Sequence, residues 1–392
     1  MSNSKSLFSR PASAYYLILG SVVALSALGL VMVLSASSVK ALNESGNSFA
    51  YVLRQGLFLL ISIGVAWVAM KLRAELWRPI AGTALLASCI LLILPQIPGI
   101  GKTVGGNTNW IGIGSFTIQP SEFAKIGIIL WCALRLRIHD IKASQGEESN
   151  AAKLIVPGIA VVMILILLGH DLGTAVVVAG IVGGTLFISG ISMRIVGALT
   201  VAVGLAFSAL ILTSSNRMNR FSAFFDPFAE ANYKGVGWQQ AHSIMGLASG
   251  GPLGTGLGSS KQKWGNLPEA HTDFIFSVIG EELGLLGTLA VLALFALLIL
   301  GIFRVALRAD NSFDRYVCSG IGCWFAVQVI LNIGTVISVI PVVGVTLPFI
   351  SYGGSSLLAT FMAIGFVLGV LRRDPAVAAE IRERKSVRTA RG

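Results

Sequence analysis

The chain has 392 residues, of which 54% are hydrophobic and only 12% are charged, and its formal net charge is +11. Soluble domains average roughly 25% charged residues, so this composition excludes an ordinary soluble domain and indicates a polytopic membrane protein. The basic residues lie in short clusters between apolar runs. This pattern favours contact with anionic membrane lipid, and we expect no nucleic acid as a partner.

Ten apolar runs predict ten transmembrane helices. A bilayer core of about 30 Å needs about 20 apolar helical residues to cross it. The first run follows a segment without a cleavage site, so we interpret it as a retained helix and not as a signal peptide. The predicted fold class is an all-α polytopic membrane protein. Its predicted spans are residues 14–36, 53–70, 77–95, 121–134, 154–170, 174–190, 192–214, 274–303, 316–340 and 354–371.

The lysines and arginines predict the orientation. Of the 29 in the chain, 20 fall on the side that holds both termini and the other 9 fall on the opposite side. Because cytoplasmic segments are enriched in lysine and arginine, both termini are predicted to be cytoplasmic. Residues 1–13 and 372–392 then form cytoplasmic tails around a single domain of residues 14–371. The second tail is basic, and we expect it to be disordered or to lie on lipid.

The same orientation sends the polar motifs to the outer face. They are residues 105–122, the link at His170 and Asp171, a large extracytoplasmic loop of residues 215–272 between spans seven and eight, and residues 341–356. The segment 341–355 is too irregular for a helix. Irregular backbone at membrane depth persists only where it is buried in protein or lines a wet cavity, so we expect this segment to re-enter beside Asp273.

Asp273 is the first candidate for catalysis, because it lies where a polar loop meets a long apolar run. Partial loss of solvent at such a position raises the pKa of a carboxyl group and strengthens it as a base. The alternative is an N-cap residue that satisfies the free N–H groups of the following helix. The residues alone leave these two roles open.

Other buried acids have less specific interpretations. Glu122 and Lys125 share one helix face, either as a local ion pair or as the polar wall of a cavity. Glu281 and Glu282 lie about 12 Å deeper than Asp273 along the predicted helix. A charge at that depth is usually paired or faces a cavity, and we favour a pair with another helix.

The long loop offers cations and glycines for an anionic group. A cradle of backbone N–H groups for phosphate is one interpretation of its glycines, and a flexible surface loop is the other. The histidines and cysteines lack metal-ligand spacing and no serine nucleophile motif occurs, so no metal site and no hydrolase is predicted. The candidate cations are Arg217, Arg220, Lys234, Lys261 and Lys263.

Several motifs occur in a fixed order along nearly the whole chain: Trp110-Ile111 with Gly114, Gln119–Lys125, Asp171–Ala175, Arg220 with Phe225-Asp226-Pro227, Gln239–Gly251, Leu267–Gly284 and Pro348–Ser355. Together they resemble the SEDS family (shape, elongation, division and sporulation), membrane glycosyltransferases that polymerise peptidoglycan from lipid II. Residues 34–38, 268–276 and 280–282 are more similar to the cell-division branch than to the elongation branch. Asn109 departs from an expected basic residue, and His170 departs from the usual proline.

The resemblance implies roles for the candidate residues. Asp273 would be the essential catalytic residue, taking the proton from the acceptor hydroxyl as two lipid-linked disaccharides are joined. Glu122 and Lys125 would line the same central cavity. The predicted substrate and pyrophosphate site comprises Arg220, Lys261, Lys263, Lys125, Glu122, His271 and Ser351.

The resemblance also implies a setting for this reaction. The partners would be lipid II and the growing glycan strand, a class B penicillin-binding protein transpeptidase and other cell-division proteins, in the bacterial cytoplasmic membrane at the division septum. No cofactor is required, although Mg²⁺ or Mn²⁺ could share the neutralisation of charge. The alternatives are a lipid II transporter or flippase and a non-catalytic scaffold. Buried acids and the one-sided crowding of polar motifs favour catalysis.

Overall fold

The computed structural model describes residues 11–104, 107–113, 116–212 and 215–389, and most of them are helical. The helices are, in chain order, α1 (Ser13–Ser45), α2 (Ala50–Lys71), α3 (Ala74–Ile93), α4 (Pro120–Ser144), α5 (Ala151–Leu168), α6 (Leu172–Ile188), α7 (Met193–Leu212), α8 (Ser215–Phe225), α9 (Glu230–Tyr233), α10 (Trp238–Gly250), α11 (Ile275–Arg308), α12 (Ser312–Val336), α13 (Gly354–Arg373) and α14 (Pro375–Thr389).

The long helices coincide with the predicted spans. Each of the ten apolar runs overlaps one of α1–α7 or α11–α13, although the run 316–340 continues four residues past the end of α12 at Val336. Seven of the helices within the described residues, α1, α2, α3, α5, α11, α12 and α13, are long and apolar enough to cross a membrane. The structure therefore confirms a largely helical, polytopic membrane architecture.

A small sheet departs from the all-α prediction. Strands β1 (Gly101–Val104), β2 (Asn107–Ile113) and β3 (Phe116–Ile118) pair antiparallel in the order β1-β2-β3. The backbone N–H of Thr108 donates to Gly169 O at 3.2 Å, and Gln96 Nε2 donates to Thr108 O at 2.8 Å. These bonds fix the sheet against the α5–α6 link. The all-α prediction is wrong here because strands this short carry little periodic signal.

The predicted long loop contains three helices, α8, α9 and α10. The chain after α10 enters a break in α11 at Gly284, whose φ of 67° is non-helical. Leu285 N donates to Gly251 O at 2.9 Å, and Gly256 N donates to Glu282 O at 3.0 Å. The loop thus satisfies backbone groups that the break in the helix leaves free.

The C-terminal segment forms helix α14 within the described residues, so the predicted disorder is wrong there, and the alternative that this segment lies on lipid stays a prediction. Helix α14 buries Val377 completely, and the N–H of Ala12 donates to Glu380 Oε2 at 2.9 Å. Contact with the N-terminal segment compensates for the low hydrophobicity that suggested disorder. The structure describes residues 11–13 and 372–389 of the predicted tails, and the remaining tail residues lie outside the described part.

The polar motifs meet at one end of the helix bundle, which we call the motif end. It comprises the sheet, the α5–α6 link, residues 268–274 and the α12–α13 connection of residues 337–353. The opposite end carries charged contacts such as Arg373 with Asp314 at 3.2 Å and Tyr316 with Asp140 at 2.8 Å. Motifs that are far apart in sequence are therefore neighbours in the fold.

The α12–α13 connection is anchored by Phe349, which is buried between the rings of Phe325 and Phe361 at centroid distances of 5.5 and 5.6 Å. Helix α1 crosses this anchor closely. A Cβ atom at Gly29 would lie 2.6 Å from Phe349 O, whereas one at Gly20 would meet nothing within 4 Å. Glycine at position 29 thus permits α1 to touch the connection.

Gly29→Ala is expected to lower the melting temperature of the purified protein, since overpacking a tight contact costs about 1–3 kcal/mol. Gly20→Ala on the same helix is the matched control and should be neutral or slightly stabilising through helix propensity. Thermal unfolding in detergent, followed by tryptophan fluorescence, measures both. Equal melting temperatures for the two variants would contradict the close approach.

Candidate active site

The α12–α13 connection lies beside Asp273, as the sequence predicts. Its residues 337–353 contain no helix or strand. Asn332 of α12 donates from Nδ2 to Val345 O at 2.6 Å and to Asp273 O at 2.7 Å. One buried amide therefore joins the connection to the loop that carries Asp273, and it satisfies backbone carbonyls that would otherwise be costly to bury.

Ser351 makes a second link between the same two segments. Its Oγ donates to Thr272 O at 2.7 Å and accepts from Leu347 N at 2.8 Å. Gln55 of α2 completes the link, donating to Ser351 O at 3.0 Å and accepting from Gly353 N at 3.2 Å. The Ser351 hydroxyl is thus engaged in holding the loops, and its role in substrate binding stays a prediction.

The Asp273 side chain is half-buried, and it has no hydrogen bond or ion pair within the described residues. Gly344 lies next to it, since a Cβ atom at Gly344 would be in ordinary van der Waals contact with Oδ2 at 3.6 Å. Burial raises the pKa of Asp273 to about 7, with smaller contributions from the negative charges of Glu269 and Asp171. Such a carboxyl group changes protonation near neutral pH, as a general base requires.

Asp273 does not cap α11. The N-cap residue is Phe274, and no side chain accepts a hydrogen bond from the first turn. Other helices have side-chain caps: Asn311 accepts from Asp314 N at the start of α12. The N-cap alternative for Asp273 is therefore wrong, and its carboxylate remains available for another partner.

Glu122 and Lys125 form an ion pair inside the core. Lys125 Nζ lies 2.7 Å from Glu122 Oε1, donates to Gln328 Oε1 at 3.0 Å and sits 4.7 Å from the ring centroid of Trp324. Gln328 Nε2 in turn donates to Thr346 O at 2.9 Å. Lys125 is only 2% exposed, so the ammonium acts within the protein. Its predicted contact with pyrophosphate stays a prediction.

Asp171 fastens the sheet to two helices. Its Oδ2 accepts from Asn109 Nδ2 at 2.6 Å and from Thr174 Oγ1 at 2.8 Å, while Oδ1 accepts from Thr174 N at 2.9 Å as the cap of α6. Gln119, before α4, also donates to Oδ2 at 3.3 Å. Asn109, which replaces the expected basic residue, therefore has a structural partner in this chain.

Glu281 and Glu282 hold the glycine-rich loop in place. Glu281 accepts from Ser260 Oγ at 2.5 Å and from Lys261 N at 2.9 Å. Glu282 accepts from Ser35 Oγ of α1 at 2.6 Å and from Gly258 N at 3.0 Å. The predicted pair with another helix is thus confirmed for Glu282, whereas the described partners of Glu281 lie in the loop. Both buried carboxylates hold the loop, and Glu282 also joins two helices.

The predicted cations have different surroundings. Lys263 Nζ lies 3.6 Å from Glu282 Oε1 and also donates to Gly258 O, whereas the side chain of Lys261 is exposed. Arg220 lies in α8, and its side chain is outside the described residues. Lys263 shares an open cavity with His271, which is 4% exposed. The structure therefore groups Lys263 with His271 and joins Glu122 with Lys125.

Several positioning residues escape sequence reasoning. Gln328 and Asn332 lie one helical turn apart on α12 and connect Lys125 and Asp273 to neighbouring parts of the α12–α13 connection. Polar residues within an apolar span often indicate a buried polar contact or a functional site, and Gln328 and Asn332 are two such residues. Within the described ranges, no group of three or more His, Cys, Asp or Glu residues is placed to hold a metal ion.

These features define a class of protein: a polytopic membrane protein whose irregular loops enclose an unpaired acid at one end of a helix bundle. The family model described as "Cell cycle protein", which covers FtsW, RodA and SpoVE, matches residues 15–375. The chain belongs to this family, which confirms the SEDS membership predicted from the motifs.

Similar proteins are named for the cell-division branch. A probable peptidoglycan glycosyltransferase FtsW of Geobacter metallireducens is 38% identical over 356 residues, covering 91% of this chain and 94% of that protein. One from Coxiella burnetii is 39% identical over 351 residues, covering 89% and 93%. The predicted similarity to the division branch is thus confirmed.

Solved structures share the fold. One chain, from a study of the structural coordination of polymerization and crosslinking by a peptidoglycan synthase complex, has a TM-score of 0.72 at 29% identity and covers 91% of this chain and 96% of its own length. The rod shape determining protein RodA of Thermus thermophilus has a TM-score of 0.67 at 28% identity, covering 91% and 96%. The helical arrangement is therefore that of the family.

Lys125→Met is expected to lower the melting temperature strongly, because removing one partner of a buried ion pair costs about 3–5 kcal/mol. The double variant Glu122→Gln with Lys125→Met should recover much of the loss, since no uncompensated charge remains. Lys142→Met is the control, because the Lys142–Glu147 pair is exposed and contributes little. A double variant less stable than Lys125→Met would contradict a paired role.

Asp273→Asn is expected to stabilise the protein at high pH. The folded-state pKa of about 7 lies above the ordinary value of 3.8. The contribution of protonated Asp273 to the free energy of unfolding is therefore fully present below about pH 4 and disappears as the pH rises to about 7. The variant should therefore melt at a higher temperature than the parent at pH 8, with the difference vanishing near pH 4. The exposed Asp310→Asn is the control and should show no such pH-dependent gain.

Proposed function

We propose that this chain is a peptidoglycan glycosyltransferase that polymerises lipid II into β-1,4-linked glycan strands during cell division. Its similarity to proteins named FtsW over about nine-tenths of its length supports the activity. The observation that carries the mechanism is the Asp273 carboxylate, which has no hydrogen-bond donor or cation on it within the described residues and a pKa near 7. Asp273 is the proposed catalytic base.

In the proposed reaction, Asp273 takes the proton from the C4 hydroxyl of the acceptor's N-acetylglucosamine. The oxygen attacks the anomeric carbon of the donor's N-acetylmuramic acid, and the bond from that carbon to the phosphate oxygen breaks. Undecaprenyl pyrophosphate leaves with the bonding electrons, and the α-linked donor becomes a β-linked unit. The proton then passes from Asp273 to solvent. A positioned base of this kind contributes roughly 10²- to 10⁴-fold to the rate.

Negative charge develops on the leaving pyrophosphate and needs compensation. Lys261 and Arg220 are the proposed direct contacts, because both belong to the segment between α7 and α11 and neither has an ion pair among the described contacts. Lys263 is paired with Glu282, so its predicted contact with pyrophosphate stays a prediction. Lys125 is buried, so we assign its charge an indirect role through Glu122 and Gln328. A Mg²⁺ or Mn²⁺ ion carried on the pyrophosphate would belong to the substrate, and no side chain is assigned to it.

The topology that suits this reaction has ten spans, α1–α7 and α11–α13, with both termini in the cytoplasm. The supporting observations are the excess of lysine and arginine at the terminal side and the gathering of the polar motifs at the motif end. This orientation gives Asp273 access to substrates at the outer face of the bacterial cytoplasmic membrane. Polyprenyl tails would stay among the apolar helices while the sugars react at the motif end.

The proposed partner is a class B penicillin-binding protein transpeptidase, which would crosslink the new strand alongside other cell-division proteins. The similarity to a chain from a complex that coordinates polymerization with crosslinking supports this proposal. The names of the relatives support action at the division septum.

Asp273→Asn is expected to abolish glycan polymer formation, with a loss of at least about 10²-fold, because a neutral amide cannot accept the proton. The variant should still bind lipid II. The assay is gel analysis of polymer made by purified protein from lipid II, with and without the transpeptidase, and Asp310→Asn is the control.

Polymer made at the parent rate by Asp273→Asn would refute the catalytic role. Movement of labelled lipid II across vesicles, with no polymer from the parent protein, would instead indicate transport.

A further inference from the structure

The open cavity that Lys263 shares with His271 lies beside Asp273. It has a volume of about 450 Å³ and is formed by the C-terminal end of α1 and residues 263–271. This volume falls within the range of about 300–1,000 Å³ that small-molecule sites occupy. Asp273 is not among the residues that line it. Its polar and aromatic lining is Lys40, Asn43, Glu44, Lys263, Trp264, Glu269 and His271.

His271 is a buried polar side chain without a partner in this cavity. It is 4% exposed, and within the described residues neither ring nitrogen has a hydrogen bond. Packing holds the ring instead: Tyr51 lies edge-on at a centroid distance of 5.1 Å, and Tyr352 lies at 5.8 Å. Burial, aided by the charge of Lys40, lowers the pKa of His271 to about 4, so the neutral ring offers one donor and one acceptor.

Lys40 provides an uncommitted charge at the same place. Its ammonium lies 6.0 Å from the ring centroid of Tyr51, and no carboxylate of the described chain is within ion-pair distance. Lys263, the other lysine of the cavity, is already paired with Glu282. With Lys263 paired to Glu282, the lining sets the charge of Lys40 against those of Glu44 and Glu269, which disfavours a doubly charged pyrophosphate as the ligand.

The backbone at Glu269 separates this cavity from Asp273. Its φ of 56° is uncommon for a glutamate. The conformation is held because Glu269 O accepts from Thr272 N and Phe274 N, each at 3.1 Å. Strain of this kind is characteristic of functional sites. The turn places His271 in the cavity while Asp273, at most about 7 Å away between Cα atoms, lies beside Gly344.

We propose that this cavity is a subsite for the sugar–peptide head of the substrate, separate from the residues around Asp273. Trp264, which is 70% exposed, stacks on a sugar ring, His271 exchanges hydrogen bonds with sugar hydroxyls, and Lys40 binds a carboxylate of the attached peptide. The assignment rests on the proposed function for the identity of the substrate. The cavity would be an additional binding site, which holds a saccharide unit next to the saccharide unit that reacts at Asp273.

The test measures binding of two soluble probes to protein carrying Asp273→Asn, which prevents turnover. One probe is the peptidoglycan disaccharide with its peptide, and the other is the same disaccharide without the peptide. Lys40→Met should weaken binding of the first probe roughly ten-fold and leave the second unchanged, because a charge-assisted hydrogen bond is lost. Trp264→Ala should weaken both by a similar factor.

Lys102→Met is the matched control, since it removes an exposed lysine from β1 outside the cavity, and it should bind both probes as the parent does. Melting temperatures check that each variant is folded. Trp264→Ala should fold, because the side chain of Trp264 is exposed. Unchanged affinity in both cavity variants, no binding of either probe to the parent, or displacement of the probes by inorganic pyrophosphate would overturn the proposal.

A second measurement separates this proposal from the activity itself. In protein with Asp273 intact, Trp264→Ala should raise KM for lipid II about ten-fold with little change in kcat, as expected when ground-state binding is removed. If the Trp264→Ala variant has the KM of the parent and makes polymer normally, the subsite is refuted and the glycosyltransferase activity is not. A parent protein that makes no polymer would refute the activity.

Discussion

The side-chain amide of Asn332 is the interaction on which the candidate site depends. It donates two hydrogen bonds, to Val345 O and to Asp273 O, and so joins two irregular segments to one buried helix. Irregular backbone exposes polar groups that are costly to bury, and few side chains can satisfy two of them at once. Ser351 and Phe349 hold the same segments at other points, but only this amide bonds directly to the backbone of Asp273 among the described contacts.

Buried charges around this centre divide into satisfied and unsatisfied groups. Glu122 with Lys125, Glu281 and Glu282 are all compensated by cations or by several donors, so they stabilise particular contacts between helices and loops. Asp273 has no such compensation within the described residues, and burial moves its pKa toward neutrality. A fold that pairs Glu122, Glu281 and Glu282 while leaving the Asp273 carboxylate without a partner among the described residues is consistent with an acid selected for chemistry.

Much of the fold, and the position of Asp273 in the candidate site, could be predicted from the sequence. Apolar runs located the ten long helices because each run is continuous in the chain, and the position of Asp273 at the start of an apolar run suggested a base. The sheet at residues 101–118 and the ordered helix α14 were missed. Both depend on contacts with distant segments, such as Thr108 with Gly169 and Ala12 with Glu380, which leave no periodic trace in the local sequence.

Hydropathy and motif order are properties of the chain read along its length, so they were enough to predict the membrane class and the family and to single out Asp273 as the candidate acid. Which groups meet depends on the tertiary structure. Lys125 bonds to Gln328, 203 residues away, and Asn332 bonds to Asp273, 59 residues away. The same packing gives the His271 ring two aromatic neighbours but no hydrogen-bond partner among the described residues. Whether a polar side chain is paired or free depends on neighbours brought by packing, and packing between helices follows no local pattern.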